Sequence, residues 1–147
     1  MKKKELLGLF KITNSQYLDL VRKDKNNYKK ILKENTGSGF KEEYSFKDLI
    51  LFKIAVDLLN ANINRTVILK IRELIIETKD LPIFCENTRI LSEYIIYMYF
   101  SNNRIVLKLK VDNIFQYNSD KEEIIDSSLL LLINLNKVNT FLRKNIN

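Results

Sequence analysis

The stretch Gly39-Phe40-Lys41-Glu42-Glu43-Tyr44-Ser45-Phe46-Lys47-Asp48-Leu49 decides how the chain is read. Its second half carries Ser-x-x-Asp spacing. That spacing lets a hydroxyl and an acidic side chain three residues later satisfy exposed backbone N–H groups at a helix start. A helix is therefore predicted from this point to about Leu59. Leu49, Leu51, Phe52, Ile54, Ala55, Val56, Leu58 and Leu59 leave it few polar faces, so it should be largely buried. The first half follows Asn35-Thr36-Gly37-Ser38-Gly39, a turn-forming cluster read as the tip of a wing, with Phe40 to Tyr44 as its returning strand.

Upstream, Lys3 to Phe10 reads as a short helix, broken at Lys11-Ile12. Thr13-Asn14-Ser15-Gln16 has the Thr-x-x-Gln form of a capping box, opening a second helix with Tyr17, Leu18, Leu20 and Val21 inward. Two short helices across a tight break make a helix-turn-helix candidate. Downstream, Asn60-Ala61-Asn62 ends the long helix, since asparagine suits a left-handed C-terminal position. Asn64 caps the next helix, Arg65 to about Thr78, with Val67, Ile68, Ile71, Leu74 and Ile75 at helical spacing. Asp80-Leu81-Pro82 breaks the pattern and sets an expected boundary between residues 1–80 and 81–147.

Beyond it the pattern becomes strand-like. Tyr94 to Phe100 is aromatic and branched, and Asn102-Asn103 suits a two-residue turn. Arg104 to Lys110 alternates basic and apolar residues with period two, the mark of a half-buried strand that puts Lys108 and Lys110 on a solvated face. Val111 to Tyr117 is read as a third strand. Periodicity leaves Leu129 to Leu135 open between strand and helix; a fourth strand, then a short helix from Lys137 to Arg143, is the reading adopted.

The order of these landmarks resembles the MerR family of bacterial winged helix-turn-helix regulators. The likeness covers about residues 3–76. It rests on the glycine, aromatic, basic, tyrosine and Ser-x-x-Asp-Leu succession from Gly39 to Leu49, and on Asn62-Ile63-Asn64 followed by Ile68. In the family a glycine and a capping serine usually stand where Asn62 and Asn64 stand here. Lys11 aligns with a second usual glycine, Leu7 with a small residue, and Leu18 with a frequent arginine. The implied fold is α+β: a MerR-like winged helix-turn-helix in residues 1–80, then a small antiparallel β-rich lobe in residues 81–147. The implied function is transcriptional regulation by binding double-stranded DNA as a homodimer. The second lobe would serve dimerisation or contact with a protein partner. An alternative reading is a MerR-like protein–protein interaction module without operator binding.

Composition agrees with a binding role. The 147 residues are 46% hydrophobic and 29% charged, with a net charge of +7. Lysine, asparagine and isoleucine number 19, 17 and 19, a bias that an A/T-rich coding sequence would produce, so the distribution of charge says more than its sum. Residues 2–33 hold 10 basic and 3 acidic groups, a concentration suited to a nucleic-acid surface. Histidine is absent, the one cysteine cannot form a thiolate cluster, and no glycine-rich phosphate loop occurs. No catalysis, cofactor or metal is therefore expected. Cys85 is read as a small buried hydrophobe, and a single cysteine suits a reducing cytoplasm. No apolar run approaches the roughly 20 residues that span a bilayer, and after the basic start Leu6, Leu7, Leu9 and Phe10 give way to Lys11 too soon for a signal peptide.

The expected DNA-binding residues are Asn14, Ser15, Gln16 and Tyr17 at base edges, on a recognition helix near residues 14–23. Lys2, Lys3, Lys4, Arg22, Lys23, Lys25, Lys41 and Tyr44 are expected at phosphates. Helix capping is the competing role for Thr13 and Gln16, core packing for Tyr17, and sealing the wing for Tyr44.

Overall fold

The computed structural model describes residues 3–21, 44–78, 81–101, 104–111 and 130–146. In these lie α1 (Lys3–Phe10), α2 (Asn14–Val21), α3 (Phe46–Asn60), α4 (Arg65–Glu77), a 3-10 turn (Pro82–Phe84), β1 (Tyr94–Ser101), β2 (Arg104–Val111), β3 (Leu130–Asn134) and α5 (Leu135–Asn145). The fold is α+β, with an antiparallel sheet in the order β2-β1-β3.

Local chemistry accounts for the helix starts. Thr13 Oγ1 accepts the Gln16 N–H at 3.2 Å, and Gln16 Oε1 accepts the Thr13 N–H at 2.8 Å. Ser45 and Asp48 reciprocate in the same way at 3.1 and 2.9 Å. Asn64 Oδ1 caps α4 through the Thr66 N–H at 2.8 Å, and Asn134 caps α5 through the Lys137 N–H at 3.1 Å. Each cap satisfies a donor that the first helical turn leaves without a partner.

Two helix ends share one geometry. After α1, Lys11 sits at φ 52°; its N–H donates to the Gly8 carbonyl at 3.3 Å, and Ile12 N–H reaches Leu7 at 3.1 Å. After α3, Asn62 sits at φ 57°, with its N–H on Leu59 at 3.0 Å and Ile63 N–H on Leu58 at 2.9 Å. Both are Schellman ends, in which one left-handed residue turns the chain and returns two N–H groups to the last carbonyls. Lys11 and Asn62 are also the two positions where the resembled family usually has glycine.

The core is built around α3. Nine of its fifteen residues are buried, spread around its circumference. Leu6 and Phe10 of α1, Tyr17, Leu20 and Val21 of α2, and Val67, Ile68, Ile71 and Ile75 of α4 cover part of it. Leu135, Val138 and Leu142 of α5 belong to the same cluster, as do Ile83, Phe84 and the inner residues of β1, Tyr94, Ile96 and Met98. The break near residue 80 thus divides the chain without dividing the core. A helix apolar all round cannot be enclosed by α1, α2 and α4 alone, so the C-terminal elements complete it.

In the sheet, Ile96 pairs with Leu109 and Ile133, and Met98 with Leu107 and Leu131, all toward the core. Tyr97 pairs with Lys108 and Leu132 on the other face, where Tyr97 stacks on Tyr99 at 5.8 Å. The strand read from Arg104 to Lys110 is observed, with Ile105, Leu107 and Leu109 packed on the core. Its other face is not the solvated one expected: Lys108 and Lys110 are only partly exposed, and Ile95, Tyr97 and Tyr99 of β1 are buried on that face. Leu130 to Asn134 forms a strand, and α5 begins two residues before the expected Lys137. The wing over residues 35–43 and the expected strand beyond Val111 lie outside the described residues. Cys85 departs from expectation by being exposed: its N–H bonds back to Pro82 at 3.1 Å, and the chain leaves the 3-10 turn extended.

Asn139, 2% exposed, has both ends of its amide occupied, by the Ile83 carbonyl at 2.7 Å and by Arg143 Nε at 2.7 Å. Asn139→Ala should cost about 2–3 kcal/mol in a urea denaturation, because a buried carbonyl and a guanidinium N–H lose their partner. At Lys11, glycine removes the Cβ clash of the left-handed region. Lys11→Gly should raise stability by about 0.5–1 kcal/mol, whereas Lys11→Ala, which keeps the Cβ, should change it by less than about 0.5 kcal/mol.

Candidate nucleic-acid interface

Helix α2 is eight residues long, about 12 Å, and its two sides have opposite characters. The inner side is held by aromatic contacts. Tyr17 stacks on Phe52 with centroids 6.0 Å apart, Phe52 stacks on Phe10 at 5.1 Å, and Phe10 reaches Phe141 at 6.5 Å. Tyr44 meets Phe52 edge-on at 6.2 Å, and the Tyr17 and Tyr44 hydroxyls are 3.1 Å apart. Offset stacks and edge-to-face pairs follow from the ring quadrupole and add about 0.5–1.5 kcal/mol each beyond burial.

The outer side carries Asn14, Ser15 and Gln16, all exposed. Asn14 and Ser15 make no side-chain hydrogen bond among the described residues. Gln16 spends its oxygen on the Thr13 cap and keeps its NH2 outward. Lys3 and Lys4 on α1 and Lys11 in the turn are exposed, and Lys3 Nζ stands 4.7 Å from the Tyr17 ring centre.

Tyr17 therefore leaves the set of base-reading residues. At 3% exposure its ring faces protein, because its position on α2 points at Phe52. Tyr44, half-buried against the same ring, serves as a seal between Tyr17 and α3. Lys2, Arg22, Lys23, Lys25 and Lys41 lie outside the described residues. The structure brings together Asn14, Ser15 and Gln16 on the outer side, while Lys3 stands over the Tyr17 ring.

One contact has no signature in the sequence. Arg65, the first residue of α4, donates from Nη1 to the Asp19 carbonyl at 2.6 Å. This carbonyl is in the last turn of α2, where intrahelical donors run out, and a cation there also suits the helix dipole. Arg65 thereby ties the far end of α2 to the scaffold, while Tyr17 ties its middle. Nothing in residue spacing joins positions 46 apart.

Among the described residues no group of three or more histidine, cysteine, aspartate or glutamate side chains could hold a metal ion, and no helix is long and apolar enough to cross a membrane. Compared with models of known families, with curated proteins and with solved structures, the chain matches none.

Tyr17→Phe isolates the role of the hydroxyl. It should lower stability by about 0.5–1.5 kcal/mol through the lost Tyr44 bond. It should leave affinity for any duplex within about twofold, since a buried ring contributes no base contact. Thermal denaturation and a fluorescence-anisotropy titration measure the two.

Proposed function

We propose that the chain is a DNA-binding transcriptional regulator of the MerR type, with α2 as the recognition helix. The observation that carries this reading is the division of labour on α2. Its inner side is immobilised on Phe52 and by Arg65, while Asn14, Ser15 and Gln16 face outward. A rigidly seated short helix presenting amide and hydroxyl groups from its first turn is what major-groove reading requires. Left-handed turns at Lys11 and Asn62, where the resembled family usually has glycine, support the same scaffold.

Asn14 is the principal reader in this proposal. Its amide is uncommitted among the described residues and can form two hydrogen bonds to adenine N6 and N7. Gln16 contributes its NH2 group to an acceptor, its oxygen being held by Thr13. Phosphate contacts come from Lys3 and Lys4 and from Arg22, Lys23, Lys25 and Lys41, the last from the expected wing. The chain acts as a homodimer on paired half-sites in the cytoplasm, needs no cofactor and catalyses no reaction.

Selection of duplexes from a random pool, followed by salt titration of the best binder, tests the proposal. Five or six phosphate contacts from each copy, so about ten to twelve per dimer, give a slope of log affinity against log salt of about −9 to −11. Asn14→Ala should relax preference for adenine at one position by about 1–3 kcal/mol. Joint charge reversal at Arg22 and Lys23 should weaken all duplexes alike. Unchanged affinity after that reversal sinks the proposal. A chain with no duplex affinity even at low salt, purified in complex with another protein, would favour the interaction-module alternative.

A further inference from the structure

Strand β3 bonds to β1 along one side, from Ile95 opposite Asn134 to Tyr99 opposite Leu130. No described residue bonds to its other side. A groove of about 340 Å3 runs there, walled by Ile54 and Leu58 of α3 and by Val138 of α5. Leu131, Leu132, Ile133 and Asn134 all line it. Consecutive strand residues point to alternate faces, so four in a row meet one groove along their shared edge, where N–H and C=O groups project.

Within β3 itself, charge, proline and bulges, which keep edges from pairing, are all absent from Leu130-Leu131-Leu132-Ile133-Asn134 and its register against β1. Leu131 and Ile133 pack toward the core, which leaves Leu132 50% exposed on the opposite face.

We propose that the outer edge of β3 pairs with the same strand of a second copy, antiparallel about a two-fold axis at Leu132. An isologous contact must be self-complementary, and this one is in three respects. Leu132 is the middle residue of β3, so the axis sets Leu132 against Leu132, Leu131 against Ile133 and Leu130 against Asn134. That register keeps the core-facing side chains of both copies on one face. The groove lining includes one base, Lys137 on α5, and one acid, Asp57 on α3, which is bridged to Lys53 of its own helix, and a two-fold copy presents the same charges in reverse order. Pairing joins two three-stranded sheets into one of six strands and covers Leu132 in both copies.

Sedimentation equilibrium of the full chain without DNA, at micromolar concentration, tests this independently of any duplex affinity. The wild-type chain should be dimeric. Leu132→Lys should raise the dimer dissociation constant about 100-fold or more, since like charges meet at the axis and the change counts twice. Because Leu132 is half exposed, the melting of the variant monomer by circular dichroism should stay native-like. Leu132→Cys, made in a Cys85→Ser background and treated with oxidised glutathione, should form a disulfide-linked dimer, because directly opposed antiparallel residues lie within disulfide reach. A monomeric wild-type chain overturns the proposal. So does a dimer that Leu132→Lys leaves intact, or one that Leu132→Cys does not cross-link.

Discussion

The enclosure of Phe52 is the constraint on which the rest of the structure depends. Its ring has no exposure, lies 6° from parallel with Phe10, stacks on Tyr17 and meets Tyr44 edge-on. Burying one such aromatic side chain contributes on the order of 2–3 kcal/mol, and the contacts between rings add to it. Because Phe52 sits mid-way along a helix that is apolar on nearly every side, α1, α2, α4, α5 and the inner face of the sheet must all close around it. The exposed surface of α2 has a defined direction because its opposite side has been spent on this enclosure.

Where the aromatic contacts stop, cationic side chains take over the helix and loop ends. Lys47 donates to the Thr78 carbonyl at 2.7 Å, just past α4, with its ammonium 4.8 Å from the Phe84 ring centre. Arg143 gathers the Cys85 and Thr88 carbonyls at 3.0 and 2.6 Å and leans over Phe46. Arg65 does the same for Asp19. Each of these long side chains covers apolar surface with its stem or plane and satisfies a carbonyl that secondary structure leaves over. Three of the basic residues counted toward the net charge are thus structural. The excess of basic over acidic groups in the sequence lies elsewhere, in residues 2–33.

Much of this was legible along the chain. Thr13 to Gln16, Ser45 to Asp48, and Asn64 announce three helix starts, and the structure places each cap on the residue that announced it. The period-two pattern from Arg104 to Lys110 identified a strand and its inner face. These features are local: a cap spans three residues, and a pleat repeats every two. Lys11 marks the limit of such reading. Lysine carries no preference for the left-handed region, and it adopts φ 52° because α1 must end there for Leu6, Phe10 and Ile12 all to reach the core.

By itself, the sequence determined where helices start, which face of β2 meets the core, and that α3 would be enclosed. That β1 would be buried on its other face as well was not legible in the basic-apolar alternation. Tertiary structure alone decided what encloses α3. The expected boundary at residue 80 treated the C-terminal stretch as a separate lobe, yet α5 and β1 complete the same core, because hydrophobic burial is indifferent to chain order. Composition could not assign Tyr17 to the core or to the surface, since a tyrosine suits both. Its stacking on Phe52, thirty-five positions away, assigned it. Asn14 and Ser15, one turn earlier, were left facing outward by the same docking.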